Sequence, residues 1–190
     1  MTAKSTKRRC LLVASTLSGK RIAILCTNGV QHDELYQPWE AARQAGAQVD
    51  LIAPKSGYVQ AERHKEKTDR FEVTRTLSEA DPYEYDGMIL PGGVVNADDL
   101  RMESDAVKFA RTFFDQDKPV AVICHGPWLL VEGDVLRGRT ITSWPSLQTD
   151  IRNAGGTWVD EEVYVDGNLV SSRKPDDLPA FIREMMKVFA

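Results

Sequence analysis

Short apolar runs alternate with longer amphipathic stretches along most of this chain, and each kind of segment predicts one kind of element. A compact apolar run that ends at Gly, Pro or a polar turn predicts a buried strand, whereas apolar residues spaced three and four apart predict a helix with one buried face. The predicted strands are residues 21–26, 48–53, 87–90, 120–123 and 139–143, with a weaker strand at 71–75 that pairs with 58–62 and a hairpin of 163–165 and 169–172. The predicted helices are residues 33–45, 104–116, 147–154 and 176–189.

This alternation of strands and helices favours an α/β fold with a mainly parallel sheet and helices on both faces. Sheets of this kind bind ligands beyond the carboxyl ends of their strands. Cys124 and the pair Gly92-Gly93 each come directly after a predicted strand. We therefore expect these residues to lie at the functional edge of the sheet.

The end of the strand at 120–123 carries the most informative chemistry in the chain. Cys124, His125 and Gly126 close this strand abruptly, and Pro127 opens a helix at a position that proline tolerates. A strand, a tight turn and a helix, with a thiol at the turn, have the geometry of a nucleophile elbow. A cysteine at a strand end is usually a core residue, but the polar His and the Gly that follow it favour a reactive thiol. We expect a depressed pKa for this thiol, because helix-terminal N–H groups favour the thiolate.

Length and composition limit the classes of function. The chain has 190 residues, 42% of them hydrophobic and 27% charged, as in an ordinary globular domain. A formal net charge of −4 gives no electrostatic footprint for nucleic acid or an anionic membrane, and no apolar run approaches transmembrane length. Three cysteines without a Cys-x-x-Cys or His-x-x-x-His pair predict neither a disulfide framework nor a metal site, and they fit a reducing cytoplasm. No cofactor is expected.

The first residues differ in character from the rest of the chain. Four basic residues precede a short apolar stretch at 10–14, which mimics a signal peptide but is shorter than its usual hydrophobic region. We interpret residues 1–18 as a disordered extension, or as the product of a start codon assigned too far upstream. Residues 19–190 are expected to form a single domain.

Several further segments, taken in chain order, complete a recognisable pattern. They are 21–25, Asp33-Glu34-Leu35 with Pro38, 85–93, 122–127, 136–139, 143–145, 153–156, 158–160 and 170–173. Together they resemble the PfpI family, whose superfamily includes the class I glutamine amidotransferase domains. The resemblance covers residues 20–190 and implies a flavodoxin-like sandwich with a nucleophile elbow and a cysteine-dependent hydrolase activity.

The resemblance also implies roles for particular residues. Cys124 corresponds to the nucleophile and His125 to its base. Asp98, with Asp99 as the alternative, corresponds to a carboxylate that a neighbouring subunit supplies to orient the base, so a homodimer or a ring of dimers is expected. Glu34 corresponds to a carboxyl beneath the nucleophile, where burial would keep it partly protonated and able to donate a hydrogen bond to the thiolate.

Two further sets of residues are candidates for the surroundings of the thiol. The backbone N–H groups of Gly92, Gly93 and His125 are candidate donors to an oxyanion, since glycine permits close approach. Trp128 and Trp144 are candidate substrate-binding residues at the wall and rim of the cleft. Helix core is the alternative role for Trp128, and a plain turn after a strand is the alternative for Trp144.

Simpler interpretations stand beside the other assignments. Asp98 can belong to a solvated acidic loop or cap the next helix, and Glu34 can be an ordinary first-turn residue that complements the helix dipole. His32 and His64 are interpreted as surface histidines, and Cys26 as a core residue.

Three functions remain open from the sequence. The first is a cysteine hydrolase of the peptidase type, acting on a peptide carbonyl. The second is a deglycase or glyoxalase that repairs methylglyoxal damage on proteins. The third is a non-enzymatic stress chaperone or redox sensor, in which Cys124 is oxidised to the sulfenic or sulfinic acid.

Overall fold

A computed structural model describes residues 17–190. Its strands are β1 (Arg21–Leu25), β2 (Val30–Gln31), β3 (Gln48–Ala53), β4 (Tyr58–Arg63), β5 (Glu66–Glu72), β6 (Arg75–Thr76), β7 (Gly87–Leu90), β8 (Val120–Ile123), β9 (Thr140–Ile141), β10 (Thr157–Trp158), β11 (Val163–Asp166) and β12 (Leu169–Ser172). Its helices are α1 (His32–Gln44), α2 (Val94–Met102), α3 (Ser104–Asp115), α4 (Pro127–Glu132), α5 (Gln148–Asn153) and α6 (Leu178–Phe189).

Seven strands form the central sheet, in the order β11-β12-β8-β7-β1-β3-β6. The neighbouring pairs are parallel except for β11 with β12. The middle strands are apolar and buried on both faces, as a parallel sheet between helices requires. The predicted mainly parallel sheet is therefore confirmed, and the chain leaves the carboxyl ends of β1, β7 and β8 at one edge.

Two apolar cores, one on each face of the sheet, hold the helices in place. On one face, Leu35 of α1 and Phe181 of α6 pack with the Ile24 side of the sheet. On the other face, Phe113 of α3 and Leu130 of α4 pack into a second cluster. The two clusters confirm the predicted flavodoxin-like arrangement, with helices on both faces.

Helix α2 is absent from the sequence-based prediction. Its apolar residues do not form a continuous stripe, because Val94 and Val95 are exposed while Ala97 and Leu100 are buried. A helix of this kind gives little signal in hydrophobic periodicity. The stretch that holds Asp98 and Asp99 is therefore helical rather than a loop.

The strands outside the central sheet also differ from the prediction. The hairpin partner of β4 is β5, which begins at Glu66 rather than at residue 71 and consists mostly of exposed charged residues. Charged side chains of this kind protect an edge strand from pairing with other chains but hide it from apolar patterns. The strand predicted at 139–143 shortens to β9, which pairs with β10.

The described chain begins with a buried residue. The Leu17 side chain lies in the core, and its N–H donates to the carbonyl of Ala45 at 3.0 Å. The fold thus includes Leu17, two residues before the boundary expected at Gly19. The remaining expectation for residues 1–18 lies outside the described residues, apart from Leu17 and Ser18.

Within residues 17–190, no helix has the length and apolar character needed to span a membrane.

Candidate active site

The predicted nucleophile elbow is present and is held by backbone hydrogen bonds on both sides. Cys124 adopts a left-handed backbone conformation with φ of 62°, a strained geometry that concentrates at functional sites. Its N–H donates to the Ser172 carbonyl at 3.0 Å, and its carbonyl accepts from the Trp144 N–H at 2.9 Å. Gly126 permits the tight turn, since a Cβ there would lie 2.8 Å from the Leu90 carbonyl oxygen.

His125 contacts the Cys124 thiol directly. Its Nδ1 lies 3.1 Å from Sγ of Cys124, a contact that adjacency in sequence does not by itself establish. The Trp144 ring stacks on the imidazole at 5.8 Å between centroids, and the Trp128 ring meets it edge-on at 5.3 Å. Burial lowers the pKa of His125 to about 4. The imidazole is therefore neutral at physiological pH and able to accept the thiol proton.

Glu34 lies beneath the nucleophile, in the first turn of α1. Gln31 caps this helix by accepting from the Glu34 N–H at 2.8 Å. The Glu34 carboxyl is fully buried, and its Oε2 accepts from the Gly92 N–H at 2.9 Å. Burial raises the pKa of Glu34 to about 8, and the Gly92 N–H and the nearby thiol of Cys124 oppose that rise. The carboxyl is therefore mostly protonated at pH 7.

The second oxygen of this carboxyl has no partner. Oε1 of Glu34 is buried and accepts no hydrogen bond from the described residues. The Cys124 thiol interacts with the carboxyl and opposes the rise of its pKa, but it forms no hydrogen bond with Oε1. A proton on the carboxyl would make Glu34 a donor beside Cys124, which is the role the sequence predicts for it.

Gly92 fills the narrow space between Glu34 and the nucleophile. A Cβ at this position would overlap Oε2 of Glu34 and would lie 2.6 Å from Cβ of Cys124. The Gly92 N–H is engaged by Glu34, so it is not free to serve as the predicted oxyanion donor. The N–H groups of Gly93 and His125 lie beside the sulfur and remain as candidates for that role.

The pKa of the Cys124 thiol is raised rather than depressed. Burial is the largest cause, and the charge of Glu34 adds to it, while the N–H groups of Gly93 and His125 oppose both. The predicted depressed pKa is therefore wrong for this structure, because burial raises the pKa of the thiol by more than the N–H groups of the turn lower it. A protonated Glu34 presents the sulfur with a hydrogen-bond donor instead of a negative charge.

Asp98 forms no hydrogen bond with Cys124 or His125 of its own chain. It is exposed in the middle of α2, and its side chain forms no hydrogen bond or ion pair with residues 17–190. Gly93 is the N-cap of this helix and Glu103 is the N-cap of α3, so Asp98 is neither a cap nor part of a loop. Asp99 lines a separate cleft of about 310 Å³ with Thr27 and Lys55. The role of Asp98 in a neighbouring subunit stays a prediction that its exposure permits.

The two tryptophans beside His125 differ in their surroundings. Trp128 is half-buried against the second core; its Nε1 donates to Asp150 at 2.8 Å, and the Arg101 guanidinium lies 5.6 Å from the ring centroid. Trp144 is 39% exposed and borders a cleft that includes Arg173. Trp128 therefore serves both the core and the wall around His125, while Trp144 forms the exposed rim.

A charged cluster beside Glu34 was missed by the sequence analysis. His32, predicted at the surface, is buried; its Nε2 lies 2.8 Å from Asp69 on β5 and its Nδ1 lies 3.1 Å from Asp33. Arg63, at the end of β4, binds Asp33 through Nε at 3.0 Å and through a second N–H at 2.6 Å. These contacts join the β4–β5 hairpin to α1 only in three dimensions, so no spacing along the chain predicts them.

Two minor predictions are confirmed. His64 is exposed in the β4–β5 turn, and Cys26 is fully buried. In the part of the chain that the structure describes, no group of three or more His, Cys, Asp or Glu side chains is arranged to hold a metal ion.

The fold and the site define an α/β protein with a thiol at a strand-to-helix elbow. The chain belongs to the DJ-1/PfpI family, whose model matches residues 20–188. It is 39% identical over 170 residues to protein/nucleic acid deglycase 2 of Escherichia coli, covering 89% of this chain and 97% of that one. It is 39% identical over 168 residues to deglycase PfpI of Pyrococcus furiosus, with 88% and 98% covered.

Other relatives carry different names. The chain is 37% identical over 169 residues to the putative cysteine protease YraA of Bacillus subtilis, with 89% of this chain and 98% of that one covered. Among solved structures, the DJ-1/ThiJ/PfpI-like part of a two-domain protein from Anabaena variabilis superposes with a TM-score of 0.82 at 34% identity, covering 88% of this chain and 47% of that one. Drosophila melanogaster DJ-1beta superposes with a TM-score of 0.81 at 24% identity over 90% of each chain, which supports the fold alone. The relatives named deglycase or protease support a hydrolase-type enzyme.

Proposed function

We propose that this chain is a cysteine-dependent hydrolase that attacks a carbonyl carbon, and that its substrates are amines or thiols modified by small dicarbonyls such as methylglyoxal. The observation that carries the proposal is the thiol of Cys124 on a strained elbow, 3.1 Å from a neutral imidazole and beside a buried carboxyl. A thiol in this setting has both a base and an acid within reach.

The proposed reaction uses each neighbour of the sulfur. His125 accepts the thiol proton as Sγ bonds to the carbonyl carbon, and the carbonyl electron pair moves onto oxygen. The N–H groups of Gly93 and His125 stabilise the oxyanion. The proton on Glu34 offers a hydrogen bond to the sulfur as its negative charge develops during this proton transfer, so no thiolate has to accumulate before attack. The C–N or C–S bond of the adduct breaks with its electron pair on the released amine or thiol, and the freed aldehyde carbon is the one that Sγ binds. A proton then moves from that carbon to the neighbouring carbonyl carbon through an enediol, which gives a 2-hydroxyacyl thioester. Water hydrolyses the thioester, so the net change adds one water and releases a 2-hydroxy acid and the Cys124 thiol.

The space around the sulfur favours a small adduct over an extended peptide. Cys124 and His125 are each only 7% exposed, and Trp144 covers one face of the imidazole. A compact carbonyl group fits such a recess more easily than several residues of peptide backbone. The deglycase names of two relatives that match 88–89% of the chain agree with this choice.

A peptidase is the second candidate function. Its support is the relative named putative cysteine protease, which matches the chain over a similar length. A redox sensor is less favoured, because thiolate is the species that oxidises readily and the raised pKa of Cys124 keeps the thiolate fraction low. The free thiols of Cys26 and Cys124 suit a reducing cytoplasm in either enzyme.

The deciding experiment compares two substrates under one assay. Purified protein is incubated with methylglyoxal-treated peptide and with the same peptide untreated, while 2-hydroxy acid release and peptide cleavage are both measured. We expect hydroxy acid from the treated peptide, no cleavage of the untreated one, and no turnover by Cys124→Ala. Cys26→Ala is the matched control, because it removes another buried thiol outside the reacting groups. Cleavage without hydroxy acid release would favour the peptidase instead.

A further inference from the structure

The first turn of α1 poses an electrostatic problem for Glu34. A helix N-terminus carries partial positive charge, which favours an ionised carboxylate there. The proposed role of Glu34 requires the opposite state, a carboxyl that keeps its proton near Cys124. Burial raises the pKa of Glu34 and so favours the protonated carboxyl. A neighbouring ion pair acts on the same pKa.

The neighbouring ion pair is formed by Asp33 and Arg63. Asp33 precedes Glu34 in the same helical turn, and the Arg63 guanidinium grips its two oxygens in a fork at 3.0 and 2.6 Å. Arg63 lowers the pKa of Asp33 to about 2, so this carboxylate remains charged at any physiological pH. The charge of Asp33 in turn raises the pKa of Glu34. The negative member of the pair thus belongs to the same helical turn as Glu34, and the positive member lies on the hairpin.

His32 fixes the geometry of this pair. Its ring is buried between Tyr36 and Phe71, at 5.8 and 5.7 Å between centroids. Its Nε2 lies 2.8 Å from Asp69 on β5, and its Nδ1 lies 3.0 Å from the Arg63 guanidinium. The imidazole therefore fastens the β4–β5 hairpin, and with it Arg63, against the start of α1.

The remaining groups that face Glu34 add no competing fixed charge. The turn after β7 presents the Gly92 N–H, and the elbow presents the Cys124 thiol and the His125 imidazole, whose lowered pKa keeps it neutral. Asp69 faces His32 rather than Glu34. The fixed charge that acts on the pKa of the Glu34 carboxyl is therefore that of Asp33.

We propose that Asp33, held by Arg63, is a positioning residue that acts through Glu34: its fixed negative charge keeps the proton on Glu34 and so keeps a hydrogen-bond donor beside the Cys124 sulfur. The inference rests on the proposed function for the meaning of that proton, but it concerns the carboxyl itself. Neither Asp33 nor Arg63 forms a hydrogen bond with the Cys124 sulfur, whose partner is His125.

Two substitutions separate this role from a merely structural one. Asp33→Asn removes the negative charge and leaves Arg63 unpaired, so Glu34 should ionise more easily. Arg63→Met removes the positive charge and leaves Asp33 uncompensated, so Glu34 should ionise less easily. The two variants should therefore move the midpoint of Glu34 titration in opposite directions, each by roughly half to one pH unit. A purely structural contribution would move both in the same direction.

The readout is the infrared carbonyl band of the protonated Glu34 carboxyl, followed against pH and assigned by its absence in Glu34→Gln. Arg63→Lys should stay close to the wild-type midpoint because it keeps the charge. Asp105→Asn, which breaks the exposed pair of Asp105 and Lys108 on α3, should leave the midpoint unchanged. If Arg63→Met fails to fold, the other two variants still test the proposal. It is supported if the midpoint of the Glu34 titration is lower in Asp33→Asn and unchanged in Arg63→Lys.

The inference would be overturned if the midpoint of the Glu34 titration were the same in all variants. It would also be overturned if Asp33→Asn and Arg63→Met moved this midpoint in the same direction. The alkylation rate of Cys124 by iodoacetamide is measured on the same samples. A wild-type thiol that reacts at no pH would sink the proposed function, while the carboxyl band would still decide the role of Asp33. The two ideas can therefore fail separately.

Discussion

Oε2 of Glu34 accepts a 2.9 Å hydrogen bond from the backbone N–H of Gly92, and this contact joins the first turn of α1 to the turn that follows β7. The bond fixes one oxygen of the carboxyl and leaves the other buried without a partner. A protonated carboxyl satisfies both conditions, because its carbonyl oxygen accepts from the amide while its hydroxyl can donate to the sulfur.

Replacement of Glu34 by Gln and by Ala should separate its donor role from its bulk. Gln retains an N–H that can reach the sulfur, so Glu34→Gln should keep part of the thiol reactivity and of the turnover. Ala removes the donor and leaves a cavity, so the alkylation rate of Cys124 at pH 7 should fall further. Thiolate absorbance in the ultraviolet against pH gives the titration of each variant. Identical curves for the three proteins would show that this carboxyl does not tune the nucleophile.

The raised pKa of Glu34 also predicts how stability depends on pH. Between its ordinary pKa of 4.5 and the folded value of about 8, the folded state holds a proton that the unfolded state releases. The free energy of unfolding should therefore decline as pH rises through this window, in total by several kcal/mol since each unit is worth about 1.4 kcal/mol. Glu34→Gln carries no such proton and should lack this decline. Urea denaturation of both proteins from pH 4.5 to 8.5 measures the difference.

Gly92→Ala should damage both stability and activity. The added methyl would overlap the Glu34 carboxyl and press on Cβ of Cys124, so we expect a loss of about 1–3 kcal/mol together with a fall in alkylation rate. Gly133→Ala is the matched control, since its backbone φ is −71° and the nearest atom to a new Cβ lies 3.4 Å away. That variant should stay within about 0.5 kcal/mol of wild type. Thermal unfolding and iodoacetamide kinetics test both variants, and equal behaviour would contradict the packing argument.

The sequence predicted which residues meet at the sheet edge, because each was marked by a local signal. An apolar run ends at Cys124, another ends before Gly92, and a third precedes the helix of Glu34. Since β1, β7 and β8 are neighbours in a parallel sheet, their carboxyl ends had to bring these residues together.

What the sequence could not provide depends on burial and on long-range contacts. The thiol pKa of Cys124 follows from how dry the assembled site is, which no motif encodes. The Gly92 N–H donates a hydrogen bond to Glu34, which lies 58 positions away in the chain, so it is not available to an oxyanion. Helix α2 was missed because its apolar residues are divided between surface and core.

His125 should set the rate of proton transfer without imposing the usual histidine pH dependence. Its replacement in His125→Gln removes the base, and we expect kcat/KM to fall by about 10²- to 10⁴-fold. Because burial lowers the pKa of His125 to about 4, the wild-type profile of kcat/KM should show no acid limb near pH 6.5, and the limb due to this residue should lie near pH 4. A limb at 6.5 that disappears in His125→Gln would contradict the neutral, buried imidazole described above.

Asp98 should complete the site of a second copy of the chain rather than its own. Its side chain is exposed and forms no bond within residues 17–190, whereas Asp99 faces a different cleft beside Thr27. If the active form is a symmetric dimer with shared sites, Cys124→Ala and Asp98→Asn should each be inactive or strongly impaired alone. Mixed subunits should regain about a quarter of the wild-type sites, since half of the dimers formed at random are mixed and each has one intact site.

The same mixture made with Asp99→Asn should show no such recovery beyond the activity that Asp99→Asn has by itself. Sedimentation of a fully active monomer, or a mixture no more active than its parts, would refute the shared site.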